Sequence, residues 1–280
     1  MTYRSILVHL DESPRCQARI SLAASLARAQ GSHLLGLAPT GLVNLPPALR
    51  PTLVGGADLA AAARLQMKQR AADLVSGFNH QVATLGLVSH EGRVHDDDSL
   101  SAVLQHAHAS DLVVLGQNDP KHFTPLVSWD FPQQVFLHAG RPVLVLPYAG
   151  DFKTVGQQVL VAWVDSRESA RALADALPLL QQARQVDVLS LTHRGETATA
   201  TSDSLAGVGQ WLARHGVKVR LHSELTELDV GNALLSRASD LGSDLLVMGG
   251  YGHARVTEMV MGGATRSVLS QMTVPVLISH

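Results

Sequence analysis

The sequence predicts an α/β protein built from two tandem domains, each an open, mostly parallel sheet of five strands with helices on both sides. Three observations predict it. The second half repeats the pattern of the first, short unbroken apolar runs alternate with longer segments of helical spacing, and 280 residues at 46% hydrophobic supply enough apolar material for two cores.

The repeat is explicit. Ile6-Leu7-Val8-His9-Leu10-Asp11-Glu12-Ser13 lines up with Val159-Leu160-Val161-Ala162-Trp163-Val164-Asp165-Ser166, a shift of 153. Ser110-Asp111-Leu112-Val113-Val114-Leu115-Gly116 lines up with Ser243-Asp244-Leu245-Leu246-Val247-Met248-Gly249, a shift of 133. Pro142-Val143-Leu144-Val145 against Pro275-Val276-Leu277-Ile278 keeps the second shift. The first copy therefore carries 20 extra residues between its first and fourth strands. Segment 39–56, with Pro46, Pro47, Pro51 and Gly55, is the obvious host. It also holds Leu42, Val43, Leu45, Leu49 and Leu53, too apolar for a freely solvated loop. It is expected to fold over its own strand ends or to cap a partner surface. The domains fall at 1–150 and 151–280, joined near 149–157.

Taken in order, residues 6–10 form the first strand, and Ser13 stands where the cap of the next helix belongs. Residues 57–85 are Ala- and Leu-rich and read as a helix. Asp97 and Asp98 precede an apolar helix over 100–108 in the capping position, and 112–115 is a strand buried on both faces. The second copy repeats this with Ser166 as cap and 245–248 as the buried strand. Its last helix opens at Gly262-Gly263-Ala264-Thr265, with Val268, Leu269 and Met272 on the apolar side. In such a fold, ligands bind beyond the carboxyl ends of the strands, where the strand order reverses.

Charge and motifs exclude several classes. Lys and Arg total 22 against 24 Asp and Glu, with no basic run, which argues against a dedicated nucleic-acid binder. Trp129, Trp163 and Trp211 are scattered and form no stacking platform. The single cysteine, Cys16, excludes an internal disulfide and a thiolate cluster, and reads as a small buried hydrophobe. No apolar run reaches membrane length, so the chain reads as a soluble cytoplasmic protein with no membrane partner. Fourteen histidines invite a metal site, but His106 and His108 point to different faces of their helix. His95 beside Asp96, Asp97 and Asp98 is explained by helix capping, and His9 reads as a core or domain-contact residue. No metal site is assigned. No nucleophile elbow, zinc-protease helix, Walker loop or dinucleotide fingerprint occurs, and no catalytic residue is assigned. Asp11 and Asp165 stand at strand ends as acid–base candidates, with helix capping as the simpler role.

The chemistry points to one place. The strand 245–248 runs into Gly249-Gly250-Tyr251-Gly252, nine residues intervene, and Gly262-Gly263 opens a helix. Glycines admit a phosphate to the backbone, and a helix N-terminus presents unpaired N–H groups and partial positive charge; glycines also serve ordinary turns. Gly249-x-x-Gly252, nine residues, then Gly262 resembles the nucleotide loop of the universal stress proteins, and the strand 6–10 ending in Asp11 resembles that family's first strand. The resemblance spans nearly the whole chain. It implies a Rossmann-like domain of the adenine nucleotide alpha hydrolase type, pairing of domains through their last strands, and a stress-response role. It also implies nucleotide held by the glycine loop, by a Ser or Thr after its last glycine, and by a strand-end Asp near the adenosine.

The copies depart from that pattern in complementary ways. The first keeps Asp11 but has Asp119 for the second glycine and Trp129-Asp130 opposite Gly262-Gly263. Acidic groups there repel phosphate, so this copy reads as degenerate. The second keeps the loop, but Gly263 replaces the hydroxyl residue and Val164 aligns with Asp11. Asp165 and Thr265 are the substitutes at hand. The expected nucleotide residues are Gly249, Gly252, Gly262, Gly263, Ala264 and Thr265 at the phosphates, with Val164, Asp165 and Leu191 at the base. The expected ligand is ATP or another adenine nucleotide with Mg2+, acting as a conformational or partner switch with at most slow hydrolysis. The alternative is a protein without nucleotide that works through association with another protein. The two domains are expected to pair within the chain through Val143–Leu146 and Val276–Ile278 about a pseudo-twofold axis, with homodimer formation left open.

Overall fold

Strands form in this chain where unbroken apolar runs can be covered on both faces, and helices where apolar residues recur every three or four positions. The computed structural model describes residues 2–41, 57–122, 127–194, 200–250 and 263–280. They fall into two compact units, one over Tyr3–Ala139 and the other over Gly140–His280 with Thr2.

The first unit contains β1 (Ser5–His9), α1 (Cys16–Gln30), β2 (His33–Pro39), α2 (Ala57–Thr84), β3 (His90–His95), α3 (Ser99–Ala107), β4 (Leu112–Gly116) and α4 (Phe131–His138). Its strands are parallel in the order β3-β2-β1-β4, with Ile6 opposite both Leu34 and Leu112. Ile6, Leu7, Val8, Leu34, Leu37 and Leu112 are fully buried at the centre of the sheet. Phe78 of α2 and Phe136 of α4 are buried beside them.

The second unit opens with β5 (Val143–Leu146), written at the end of the first sequence copy. It continues with β6 (Gln158–Ala162), α5 (Arg167–Leu180), β7 (Gln185–His193), α6 (Ser202–Arg214), β8 (Val219–Thr226), α7 (Val230–Asp240), β9 (Leu245–Gly249), α8 (Gly263–Gln271) and β10 (Val276–Ser279). The order is β5-β10-β9-β6-β7-β8. All neighbours are parallel except β5 on β10, where Val145 pairs with Val276 and Val143 with Ile278. The two strands expected to meet therefore do so, and β5 covers an apolar edge of β10 that would otherwise be open. Each sequence copy contributes five strands, as expected.

Two local expectations are corrected. Ser13 caps no helix: α1 begins at Cys16 behind Arg15, which makes no side-chain cap bond. Ser166 and Asp98 do cap, accepting from the N–H of Ser169 and from those of Leu100 and Ser101. The extra residues of the first copy lie mostly in a helix rather than in segment 39–56, since α2 has 28 residues against 13 in α6. Residues 42–56, and with them the expected role of that segment, lie outside the described residues. Among the described residues no helix is long and apolar enough to cross a membrane.

Candidate functional site

In the second unit, β6 lies between β9 and β7, so the strand order reverses at the β6–β9 pair. The carboxyl ends of these three strands bring together residues far apart in sequence. Gly249 closes β9, Val164 and Asp165 follow β6, and Leu191 lies on β7 just past the Ala162–Leu189 pairing. Gly249 is there because nothing larger fits: a Cβ would stand 2.6 Å from both the Glu168 carbonyl carbon and the Ser169 nitrogen at the start of α5. That backbone contact brings the α5 N-terminus against the end of β9. Glu168 itself is buried; burial opposes its charge, yet the hydrogen bond from the Arg167 guanidinium holds its carboxyl below the ordinary range. Asp165 is exposed and Val164 half-buried, with the Val164 N–H donating to Ser169 Oγ at 3.4 Å.

The start of α8 forms the other wall. At Gly263 a Cβ would meet, among the described residues, only Asp229 Oδ2, at 3.9 Å. Asp229 also caps α7 by accepting from the Asn232 N–H at 3.1 Å. Ala264 is half-buried, whereas Thr265 and Leu191 turn their side chains into the unit and are 4% and 5% exposed. Gly252 and Gly262 lie outside the described residues.

The first unit fills the same place from within. Asp11, just past β1, accepts from the Ser13 N–H at 3.0 Å and from its hydroxyl, and pairs with Arg19 Nη2 of α1 at 2.8 Å. Arg19 is 1% exposed and also donates through Nε to the His9 carbonyl at 2.9 Å. The buried His9 ring lies 3.5 Å from Asp11 Oδ2 and packs on Phe131, with ring centroids 5.0 Å apart. Gly116, which corresponds to Gly249, faces this guanidinium: a Cβ there would be 2.3 Å from Arg19 Nη1. Burial would raise the Asp11 carboxyl, but Arg19, then His9 and Ser13, hold it well below the usual carboxylate range. Burial pushes His9 down to about 4 against the pull of Asp11, and Arg19 adds to the fall. Burial likewise raises the Cys16 thiol, which keeps it an inert core residue.

No protein-family model and no curated protein matches the chain. Solved structures do. A universal stress protein from Archaeoglobus fulgidus DSM 4304 superposes with a TM-score of 0.75 at 15% identity, covering 98% of this chain and 95% of that one. The chain has the universal stress protein fold. Two Pseudomonas aeruginosa structures match over 99% of this chain, both at 16% identity. One is a protein of unknown function from strain PAO1 (TM-score 0.59, 92% of that chain). The other is a candidate universal stress protein from strain UCBPP-PA14 (TM-score 0.58, 93% of that chain).

Within this universal stress protein fold, Asp11 sits at the expected strand end, but its carboxylate is engaged by Arg19, Ser13 and His9. Capping, the simpler role foreseen for it, is not what it does. Asp119 accepts from the Lys121 N–H at 2.8 Å and contacts the His122 ring at 2.7 Å; Asp130 accepts from Gln134 Nε2 at 2.9 Å. Sequence reasoning missed Arg19. Its signal was present: Cys16, Arg19, Ala23 and Ala27 share one helical face, and a guanidinium on an apolar face demands a partner.

Proposed function

We propose that this chain is a tandem regulatory protein of the universal stress protein kind, cytoplasmic and active in stress responses. In this reading it holds an adenine nucleotide, ATP foremost, at the strand ends of the second unit. Occupancy there switches the conformation or the protein partner, and chemistry on the nucleotide is at most slow hydrolysis. One observation carries this. Where the first unit packs His9, Asp11, Arg19 and Phe131, the shifts of 153 and 133 place Ala162, Val164, Ala172 and Ala264 in the second. Three of these four small residues are partly exposed, so among the described residues the strand ends there are lined by little side-chain bulk.

The phosphates would lie along Gly249 and Gly263, with Gly252 and Gly262 from the same loop, and the base toward Val164, Asp165 and Leu191. Backbone N–H groups at the start of α8 would face the anion. Asp229 makes that end acidic, so a polyphosphate would come with Mg2+ to offset the repulsion. Without a strand-end Asp at Val164, affinity should be modest.

The test is release and rebinding. Purified protein is denatured and the supernatant analysed for adenine nucleotides, and native protein is titrated with ATP and Mg2+ by thermal shift. Binding is expected in the wild type, lost in Gly263→Asp and Ala264→Phe, and kept in Asp119→Ala. No released nucleotide and no shift would overturn the reading in favour of association without nucleotide. Binding kept in both Gly263→Asp and Ala264→Phe would move the site out of the second unit.

A further inference from the structure

Two histidines of the first unit, outside the strand-end site, meet across a strand and a helix. His95 ends β3, and His106 lies in the last turn of α3. His106 Nε2 and His95 Nδ1 are 3.1 Å apart, with the rings crossing at 89° and their centroids separated by 5.1 Å. Both side chains are half-buried, so the pair is held in place yet open to solvent on one side.

Two neutral imidazoles at this distance share one proton, with one ring nitrogen donating and the other accepting. The same separation suits a cation. Imidazole nitrogens bound to a first-row divalent metal at about 2.0–2.1 Å, at tetrahedral or square-planar angles, stand about 2.9–3.4 Å from each other. A metal between them takes the lone pair of both facing nitrogens, so the donating ring passes its proton to its own other nitrogen through solvent and the rings tilt; β3 and α3 already bring the two nitrogens within that span. Burial, then His95 and Arg93, hold His106 below the ordinary histidine pKa, while Glu91 opposes them. The same causes that oppose a proton on the ring favour its neutral form, which is the one a metal binds. Arg93, whose charge would repel a cation, is ion-paired to Glu91 on its own strand.

We propose that His95 and His106 form a two-imidazole site for a borderline divalent cation such as Zn2+, Ni2+ or Cu2+. No third His, Cys, Asp or Glu of the described residues joins them, so solvent completes the coordination. Such a site leaves positions open to a further donor, whether a small ligand or a partner's side chain.

The experiment uses the full chain. Zn2+ is titrated calorimetrically into wild type, His95→Gln, His106→Gln and His108→Gln, with circular dichroism confirming the fold of each. The tightest equivalent should weaken at least about ten-fold in His95→Gln and in His106→Gln, and be unchanged in His108→Gln, an exposed residue just past the end of α3. Equal affinity in wild type and His106→Gln, or an equal loss in all three variants, overturns the proposal. Should a variant not fold, one equivalent of Cu2+ on the wild type decides. An electron paramagnetic resonance spectrum with two coupled equatorial nitrogens supports the site, and one with oxygen donors alone overturns it.

Discussion

At the end of its first strand, the first unit carries a buried histidine, a carboxylate, a guanidinium and a phenyl ring. At the corresponding places the second carries Ala162, Val164, Ala172 and Ala264. The exchange is concerted. Neither charge of the Asp11–Arg19 pair survives in the second unit without the other, which is what the energetics of burial require. A buried pair roughly breaks even, whereas a single buried charge costs several kcal/mol. Gly116 and Gly249 stay glycine in both units for different reasons. Gly116 leaves room for the Arg19 side chain, and Gly249 for the backbone at the start of α5. Among the described residues, one fold has thus been finished in two ways, with a strand end plugged by its own side chains and a strand end lined by small ones.

The largest effect should come from splitting the pair. Arg19→Ala leaves Asp11 without its cation and should cost about 3–5 kcal/mol in urea unfolding. Asp11→Val combined with Arg19→Ala, which imports the second unit's residues, should recover most of that loss. A double variant no more stable than Arg19→Ala would break the comparison.

Acid should act next. The folded-state pKa of His9 is depressed to about 4, so between its ordinary value near 6.5 and 4 the unfolded chain binds a proton that the folded chain refuses. That stability is complete above pH 6.5 and is lost as pH falls to 4, by about 3 kcal/mol. Asp11, also depressed, adds stability that is present above its ordinary range near 3.8 and is lost as pH drops below it. Both losses run toward acid. His9→Leu should flatten the upper part of the pH–stability curve and leave the lower part in place.

The glycines sharpen the comparison further. Gly249→Ala meets fixed backbone and should cost about 2 kcal/mol in denaturant unfolding, whatever side chains are trimmed nearby. Among the described residues Gly116→Ala meets only the Arg19 guanidinium, so its cost should largely vanish when measured in an Arg19→Ala background. Equal costs in both backgrounds would show that the first unit's crowding is not due to Arg19. The smallest effect is at the cap: Ser166→Ala should lose about 1 kcal/mol, as one N-cap hydrogen bond does.

The sequence by itself determined the class of fold, the doubling, and the ten strands. Burial on both faces of a parallel strand demands unbroken apolar runs, and the constant shifts write those runs twice. It also marked Ser166 and Asp98 as caps, because a capping oxygen bonds an N–H only two or three residues along the chain. Ser13 misled because Asp11, two residues before it, is the acceptor for its N–H and its hydroxyl. Tertiary structure alone decided the rest. The role of Asp11 depends on Arg19, brought under the strand end by the packing of α1. That of Gly249 depends on the α5 backbone, 80 residues earlier, and the meeting of His95 with His106 depends on how α3 lies against the sheet. None of these contacts has a fixed spacing along the chain. Each is set by which faces the sheet brings together, and a periodicity that identifies a buried face does not name the residue it will touch.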